Sequence, residues 1–217
     1  MKNLFKDALI LFIITLVAGT VLGFVYELTK DAREEQAVIK QNNAYKAVFE
    51  NYEDFKDVDL SAGSFEEIAV ESISGLTDTL DKAGYASSVV TVDGVVAYVS
   101  GGNTYGYVVT VTAKEGYGGD IQFTVGFDMN GIVTGVSMLS ISETAGLGMK
   151  AKESEFLNQY VGKSGGNFVV NKDNSAGAAN EIDAISGATV TTRAVTKGVN
   201  AAYITVTEIL NGGDINE

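Results

Sequence analysis

The sequence contains no cysteine and no histidine among its 217 residues. Without cysteine the chain has no disulfides, no thiolate nucleophile, no cysteine-ligated iron–sulfur cluster and no lipoprotein anchor. Without histidine it lacks the commonest general base and the commonest metal ligand, and a Ser–His–Asp triad is excluded. If this protein performs redox chemistry, a bound organic cofactor must carry the electrons.

Positive charge is also scarce, because 15 Lys and Arg stand against 28 Asp and Glu, giving a formal net charge of −13. Nucleic-acid binding depends on clustered Lys and Arg, so this class of function is disfavoured. Binding flat on an anionic lipid surface is disfavoured for the same reason. The hydrophobic content of 46% is enough for one sizeable core with an accessory segment.

One long apolar run lies near the N-terminus, where residues 8–26 are 19 consecutive uncharged residues. At about 1.5 Å per residue, a helix of this length nearly spans a hydrocarbon core of roughly 30 Å. Lys2 and Lys6 precede the run and its other flank is net negative, so the positive-inside rule predicts a cytoplasmic N-terminus and an extracytoplasmic main domain. A retained anchor in the cell membrane, contacting lipid through residues 8–28, is favoured over a cleaved signal peptide, since no clear cleavage site follows.

The sequence predicts three parts: the cytoplasmic N-terminus and anchor (residues 1–28), a membrane-proximal helix and linker (29–59), and an extracytoplasmic domain (60–217). The helix is predicted because apolar residues recur on one face of it. These residues are Val38, Tyr45, Val48, Phe49 and Tyr52.

Alternating apolar residues after residue 88 predict an antiparallel meander. Asp93-Gly94 lies between two β-branched runs and predicts a hairpin, and Asn130-Gly131 predicts a second turn. Helices are predicted over residues 150–162 and 195–210. The predicted fold class is α+β, an antiparallel meander sheet flanked by helices and preceded by one transmembrane helix. Two sets of strand residues are each expected on one face: Tyr105, Tyr107, Val109 and Val111, and Ile121, Phe123, Val125 and Phe127.

A run of small and hydroxyl-bearing residues, D-A-I-S-G-A-T, occupies positions 183–189 just before the C-terminal helical pattern. The first turn of a helix has free backbone N–H groups and a partial positive charge, which stabilise a phosphate without Lys or Arg. A purely structural interpretation, in which a Ser or Thr only caps the helix, is the simpler one on spacing alone.

The same residues resemble the covalent flavinylation motif of the FMN-binding domain family, D-x-x-S-G-A-T. In that family FMN is joined through its phosphate to the last threonine of the motif. The resemblance therefore implies a phosphoester between FMN and Thr189. The remaining motif positions are matched by Asp183, Ser186, Gly187 and Ala188.

A second stretch, S-E-T-A-G-L-G at positions 142–148, looks like the E-T-P-G-L-G loop of this family, with Ala145 where proline is usual. The stretch K-E-G-Y-G-G-D-I at positions 114–121 resembles the family's loop before the next strand. By themselves both stretches are glycine-rich turns. The resemblance implies that Glu143, Thr144, Gly146, Leu147, Gly148 and Lys150 lie near the cofactor.

The order of anchor, acidic outer domain and late S-G-A-T motif is similar to that of the G subunits of Rnf complexes, the ion-translocating ferredoxin:NAD oxidoreductases. This resemblance implies an electron-relay flavoprotein subunit of a complex that couples electron transfer to Na+ or H+ translocation. It implies no independent substrate turnover, and we predict no catalytic residue and no metal ligand in this chain. The implied partners are the other membrane and iron–sulfur subunits, and a flavin transferase for maturation.

Three alternatives stay open at this point. The C subunit of a sodium-pumping NADH:quinone reductase shares the domain and the motif but is usually longer. A non-redox, membrane-tethered binding or sensor module would use the S-G-A-T stretch only as a cap. A stand-alone flavin reductase is disfavoured because the sequence has no recognisable nicotinamide-binding fingerprint.

Overall fold

Two compact units make up the chain, residues 1–42 and residues 43–217. The computed structural model describes residues 2–50, 52–55, 58–60, 62–164, 166–173, 175 and 177–211. The second unit begins inside the first helix, so the last two turns of that helix belong to the folded domain. The division into residues 1–28, 29–59 and 60–217 stays a prediction.

The first helix, α1 (Lys2–Glu50), is continuous through the apolar run and the membrane-proximal segment. Its most apolar 18-residue window has a mean hydropathy of 2.7 and is not buried within the protein. Thr15 and Thr20 donate their hydroxyls to the carbonyls of Leu11 and Leu16, at 3.0 and 2.8 Å, so the helix itself satisfies these polar groups. Among the described residues, this is the one helix long and apolar enough to cross a membrane, a property that a signal sequence shares.

A five-stranded sheet forms the centre of the second unit within the described residues. Every neighbouring pair is antiparallel and the spatial order follows the chain, so the predicted meander is confirmed. The strands are β1 (Ser64–Ile68), β2 (Val90–Ser100), β3 (Asn103–Ala113), β4 (Ile121–Asp128) and β5 (Val133–Ser140).

Helices and one small parallel strand pair complete the unit. The helices are α2 (Leu76–Lys82), α3 (Ser154–Leu157) and α4 (Thr189–Leu210), with short 3-10 turns at Glu53–Phe55, Val70–Ser72 and Gly148–Lys152. The strand pair is β6 (Val169–Asn171) with β7 (Glu181–Asp183). The predicted α+β class, with helices beside an antiparallel sheet and one long apolar N-terminal helix, is confirmed.

The main core lies between α4 and one face of the sheet. The apolar stripe of α4 includes Val195, Val199 and Val206, which are fully buried. Gly198 lets the helix approach closely, because a Cβ at that position would lie 2.5 Å from the ring of Phe123. The predicted facing sets are confirmed except for Tyr105, which is 39% exposed.

A second, smaller core covers the other face of the sheet, and the end of α1 builds it. Val48 and Phe49 of α1 are at most 1% exposed and pack with Tyr98 and Val108 of the sheet. The ring of Phe49 stacks on Phe55 with centroids 4.4 Å apart. The last turns of α1 are therefore a structural element of the domain.

The hairpin predicted at Asp93-Gly94 is wrong, since β2 runs through these residues with a bulge between Val92 and Gly94. The Asp93 carboxylate instead accepts hydrogen bonds from Thr112 of β3 and Gln122 of β4, at 2.5 and 2.9 Å. The turn between β2 and β3 is Gly101-Gly102. Both of these residues have positive φ, 58° and 79°, as a type I′ turn requires.

The structure also differs from the predicted secondary structure in segments whose sequence patterns are weak. The helix predicted over residues 150–162 is broken at Glu153, whose ψ of 142° is extended, and only Ser154–Leu157 is α-helical. Strands β1 and β7 and helix α2 were not predicted. The turn at Asn130-Gly131 is present between β4 and β5, with Gly131 at φ 74°.

Candidate functional site

Helix α4 begins at Thr189 without a side-chain cap. Its N-cap residue is Ala188, which makes no capping hydrogen bond through a side chain. The first intrahelical bond runs from the Thr192 amide to the Ala188 carbonyl at 3.0 Å, so the amides of the preceding turn point out of the helix without an intrahelical acceptor. These free amides and the helix dipole favour an anion at this terminus. Gly187, at φ 75°, forms the turn that leads into the helix.

Hydrogen bonds on both sides of the exposed tip hold the D-A-I-S-G-A-T loop. On the helix side, the buried Thr192 hydroxyl accepts from the Ile185 amide at 3.1 Å and donates to the Ala188 carbonyl at 3.0 Å. On the strand side, the Asp183 amide donates to the Gln159 side chain at 2.7 Å. Hydrogen bonds therefore fix both ends of the loop, and residues 186–189 lie between these ends.

Glu181 of β7, the strand that leads into the motif, is hydrogen-bonded to the preceding loop and to β6. Its carboxylate accepts hydrogen bonds from the amides of Gly177 and Ala178, at 2.8 and 3.3 Å, and from Asn171. These hydrogen bonds, the one from Gly177 most of all, hold the pKa of Glu181 below its ordinary value. The contact fixes the long loop between β6 and β7.

The S-E-T-A-G-L-G stretch forms a tight turn beside the start of α4. The Thr144 carbonyl accepts hydrogen bonds from the amides of Leu147 and Met149, at 3.1 and 3.2 Å. Leu147 stays 43% exposed, whereas the Glu143 side chain is buried. Gly148 gives this turn its close packing, because a Cβ there would lie 2.7 Å from both Glu143 Oε2 and Thr191 Oγ1.

These segments enclose a cleft of about 550 Å³. Its volume lies in the range of roughly 300–1,000 Å³ that small-molecule and cofactor sites occupy. Seven of the residues expected near a cofactor line it: Glu143, Thr144, Leu147, Gly148, Gly187, Ala188 and Thr189.

The remaining expected residues lie elsewhere. Asp183, Ser186 and Lys150 line a neighbouring cleft of about 440 Å³ on the other side of the motif. Gly146 lines neither cleft and serves the turn, with φ 76°. The residues expected near a cofactor thus fall into one group that lines the 550 Å³ cleft and one group that lies outside it.

Three residues of the cleft were not named from the sequence, namely Tyr117, Val190 and Thr191. Tyr117 is 75% exposed and Val190 47%, so both place apolar surface in solvent at the mouth of the cleft. A signal for Tyr117 was present in the sequence, because one aromatic residue stands among three glycines at positions 116–119. Large exposed apolar side chains beside a cleft are typical of ligand-binding surfaces.

The cleft has the features of a site for a phosphorylated, partly apolar cofactor. The uncapped start of α4 suits a phosphate, and Tyr117, Leu147 and Val190 suit a planar apolar ring. One oxygen of the buried Glu143, Oε1, has no hydrogen-bond partner among the described residues, so the site contains an unused acceptor. The described residues contain no group of three or more His, Cys, Asp or Glu side chains that could hold a metal ion.

A comparison with known protein families matches the part of the chain that contains the cleft. The model of the FMN-binding domain family matches residues 116–204, which include the three segments that line the cleft. The crystal structure of NqrC from Shewanella oneidensis superposes with a TM-score of 0.55 at 16% identity, covering 81% of this chain and 98% of that one. This structural likeness shows a shared fold.

Two relatives are also similar in sequence over most of their length. The G subunit of the Na(+)-translocating ferredoxin:NAD(+) oxidoreductase complex of Acetobacterium woodii is 34% identical over 92% of this chain and 89% of its own length. The G subunit of the proton-translocating ferredoxin:NAD(+) oxidoreductase complex of Clostridium ljungdahlii is 30% identical over 90% of this chain and 88% of its own length. The similarity therefore covers both the N-terminal helix and the domain.

Proposed function

Because this chain belongs to the G subunit family of ion-translocating ferredoxin:NAD(+) oxidoreductase (Rnf) complexes, we propose that it is the electron-relay flavoprotein subunit of such a complex. The cofactor is FMN, held in the cleft and joined by a phosphoester to the Thr189 hydroxyl. Bound FMN supplies the reversible uptake and release of electrons that no side chain of this cysteine-free, histidine-free chain provides.

The observation that carries the proposal is the position of Thr189. It is the first residue of α4, it lies at an uncapped helix terminus, and it lines a cleft inside the segment that matches the FMN-binding domain. A phosphate on its hydroxyl would meet the free amides of the first turn. The cap interpretation is not supported, since no side chain caps this helix.

The remaining cleft residues would hold the flavin ring. Tyr117, Leu147 and Val190 offer exposed apolar surface on which a planar ring can pack and be shielded from water on one side. Gly187 and Gly148 allow the backbone to approach the cofactor closely. The other side of the ring would stay accessible, as exchange of electrons with neighbouring carriers requires.

The covalent bond would be made by a separate, magnesium-dependent flavin transferase that uses FAD. Thr189 Oγ1 would bond to the phosphorus on the flavin side of FAD, the pyrophosphate bond would break, AMP would leave, and the hydroxyl proton would pass to a base of the transferase. The bond suits an extracytoplasmic site, because non-covalent occupancy depends on free ligand concentration relative to Kd.

The apolar part of α1 would anchor the domain in the cell membrane, with the N-terminus in the cytoplasm and the domain outside. This orientation follows from Lys2 and Lys6 before the span and the net negative flank behind it. The span carries no charged side chain over residues 8–26, so the path of Na+ or H+ is assigned to other membrane subunits. Electrons would come from and go to redox centres of neighbouring subunits, including iron–sulfur subunits.

The substitution Thr189→Ala tests the attachment site. The full-length protein, made with a flavin transferase and exported, should lose all flavin fluorescence from its band after denaturing electrophoresis. The fold should persist, because no capping bond is lost and alanine has a higher helix propensity than threonine. We expect a change in the free energy of unfolding below about 1 kcal/mol.

Thr207→Ala is the matched control. It removes a threonine hydroxyl of similar exposure near the other end of α4, where Thr207 Oγ1 bonds to the Tyr203 carbonyl at 2.9 Å. This variant should keep the fluorescence of the wild-type protein. Covalent flavin on the Thr189→Ala protein would move the attachment site elsewhere, and mass spectrometry of its peptides would locate it.

A further inference from the structure

Glu143 is a buried carboxylate with one unused oxygen. Its side chain is 9% exposed, and Oε1 has no hydrogen-bond partner among the described residues. A buried polar atom without a partner is destabilising, and such atoms are rare in folded proteins. The position of Glu143 on the wall of the cleft therefore indicates a donor that binds there.

Two glycines make room for this carboxylate. A Cβ on Gly116 would lie 2.9 Å from Oε1, and a Cβ on Gly148 would lie 2.7 Å from Oε2. The carboxylate is thus held between the loop after β3 and the turn after β5. Both loops also supply residues to the mouth of the cleft, Tyr117 from the first and Leu147 from the second.

A ligand in the cleft can supply this donor. Among the described residues, no Lys or Arg lines this cleft, so the protein itself does not neutralise Glu143 there. A carboxylate accepts hydrogen bonds and does not donate them. The ring of a flavin carries one N–H on its pyrimidine edge in both the oxidised and the reduced state, whereas its carbonyl oxygens are acceptors and its dimethylbenzene part is apolar.

On the basis of the proposed function, we propose that Glu143 accepts a hydrogen bond from the pyrimidine-edge N–H of the bound flavin, which is present in both redox states, and that its charge lowers the reduction potential of the flavin. The lowering follows from charge, because reduction adds negative charge to the ring next to a carboxylate in a region of low dielectric constant. Glu143 is then the residue of this chain that sets the potential of the relay. Backbone amides near the phosphate would act in the opposite direction, but from the other end of the cofactor.

The test is a redox titration of flavinylated full-length protein, followed by flavin absorbance, for the wild type and Glu143→Gln. Glutamine has nearly the same shape but no charge. At a fixed ambient potential, the ratio of reduced to oxidised flavin should rise by about tenfold or more, which is about 30 mV for a two-electron couple. Glu115→Gln is the control, because Glu115 is 46% exposed, lies on the same loop as Tyr117 and pairs with Lys197. Its ratio should change by less than about twofold, since solvent screens this charge.

The reduced-minus-oxidised infrared difference spectrum is a second readout, and its wild-type part does not depend on the folding of any variant. It should contain a carboxylate stretch that changes on reduction, that persists in Glu115→Gln and that disappears in Glu143→Gln. An unchanged or lowered ratio in Glu143→Gln, or a wild-type spectrum without such a band, would overturn the inference. Failure of the proposed function gives a different result: the wild-type protein would show no flavin fluorescence after denaturing electrophoresis, and both proposals would then be wrong. If only the inference about Glu143 is wrong, this fluorescence remains.

Discussion

Tyr160 shows how a residue outside the cleft holds the D-A-I-S-G-A-T loop in place. It is fully buried, and its hydroxyl lies 2.8 Å from the Thr196 hydroxyl, which bonds in turn to the Thr192 carbonyl at 2.8 Å. Thr192 is the residue that fixes the loop before Thr189. A line of hydrogen bonds therefore connects the buried tyrosine with the start of α4.

Tyr160→Phe should lower the free energy of unfolding by about 0.5–1.5 kcal/mol at neutral pH, because one buried hydrogen bond is lost. Burial also raises the pKa of Tyr160 above its ordinary value. The wild type therefore has its full stability below about pH 10 and loses part of it above, where only the unfolded state releases this proton. The variant should lose less stability between about pH 8 and pH 11, as chemical unfolding at each pH would measure. An equal alkaline loss in both proteins would contradict the assignment to Tyr160.

Residues that line the cleft could be singled out from the sequence where a short contiguous motif contained them. Thr189 and Glu143 stand in stretches that resemble family motifs, and both line the cleft. Tyr117 was not singled out, because its role depends on the loop after β3 coming to rest beside α4, far away in the sequence. The division between the two clefts, with Ser186 and Lys150 in the second, likewise depends on packing that local patterns do not encode.

Among the elements, turns and helix ends were harder to predict than strands. Asp93-Gly94 and Gly101-Gly102 are both good local hairpin signals. The choice between them is made by the pairing of β2 with β1 and β3, which needs an unbroken strand at residues 90–100. The polar segment before β2 has no clear periodicity of apolar residues, so the sequence did not predict β1 or α2. These two elements form because they pack against the rest of the domain.

The end of α1 is the element whose role differs most from its sequence pattern. Val38 and Phe49 share one face of the predicted helix, yet Val38 is 57% exposed and Phe49 is fully buried. Phe49→Ala should therefore lower the free energy of unfolding of the domain by about 3–5 kcal/mol. Val38→Ala, on the same helix, should change it by less than about 0.5 kcal/mol. Chemical unfolding of the full chain in detergent, followed by tyrosine fluorescence, compares the two; similar losses would mean that α1 does not belong to the core.

Considered as a whole, the molecule combines an apolar helix whose residues 8–26 carry no charge with an acidic domain that contains the candidate cofactor cleft. In the proposed function the chain contributes a place for FMN and the groups that adjust its potential, whereas its own Cys-free and His-free side chains offer no redox centre. Its family membership and its cleft are consistent with this division, since the similarity extends over both the helix and the domain. Under the proposed function, the orientation of the span decides which carriers the flavin can meet.

The absence of cysteine makes that orientation directly measurable. Single cysteines can be introduced by Asn3→Cys, before the span, and by Ser87→Cys, at an exposed position in the domain. The positive charges of Lys2 and Lys6 favour a cytoplasmic N-terminus. A membrane-impermeant thiol reagent should therefore label the Ser87→Cys protein in intact cells, and the Asn3→Cys protein only after permeabilisation. The cysteine-free wild type is the blank. Labelling with the two positions exchanged would place the domain in the cytoplasm, where free FMN is abundant and the argument for a covalent bond from cofactor supply would no longer hold.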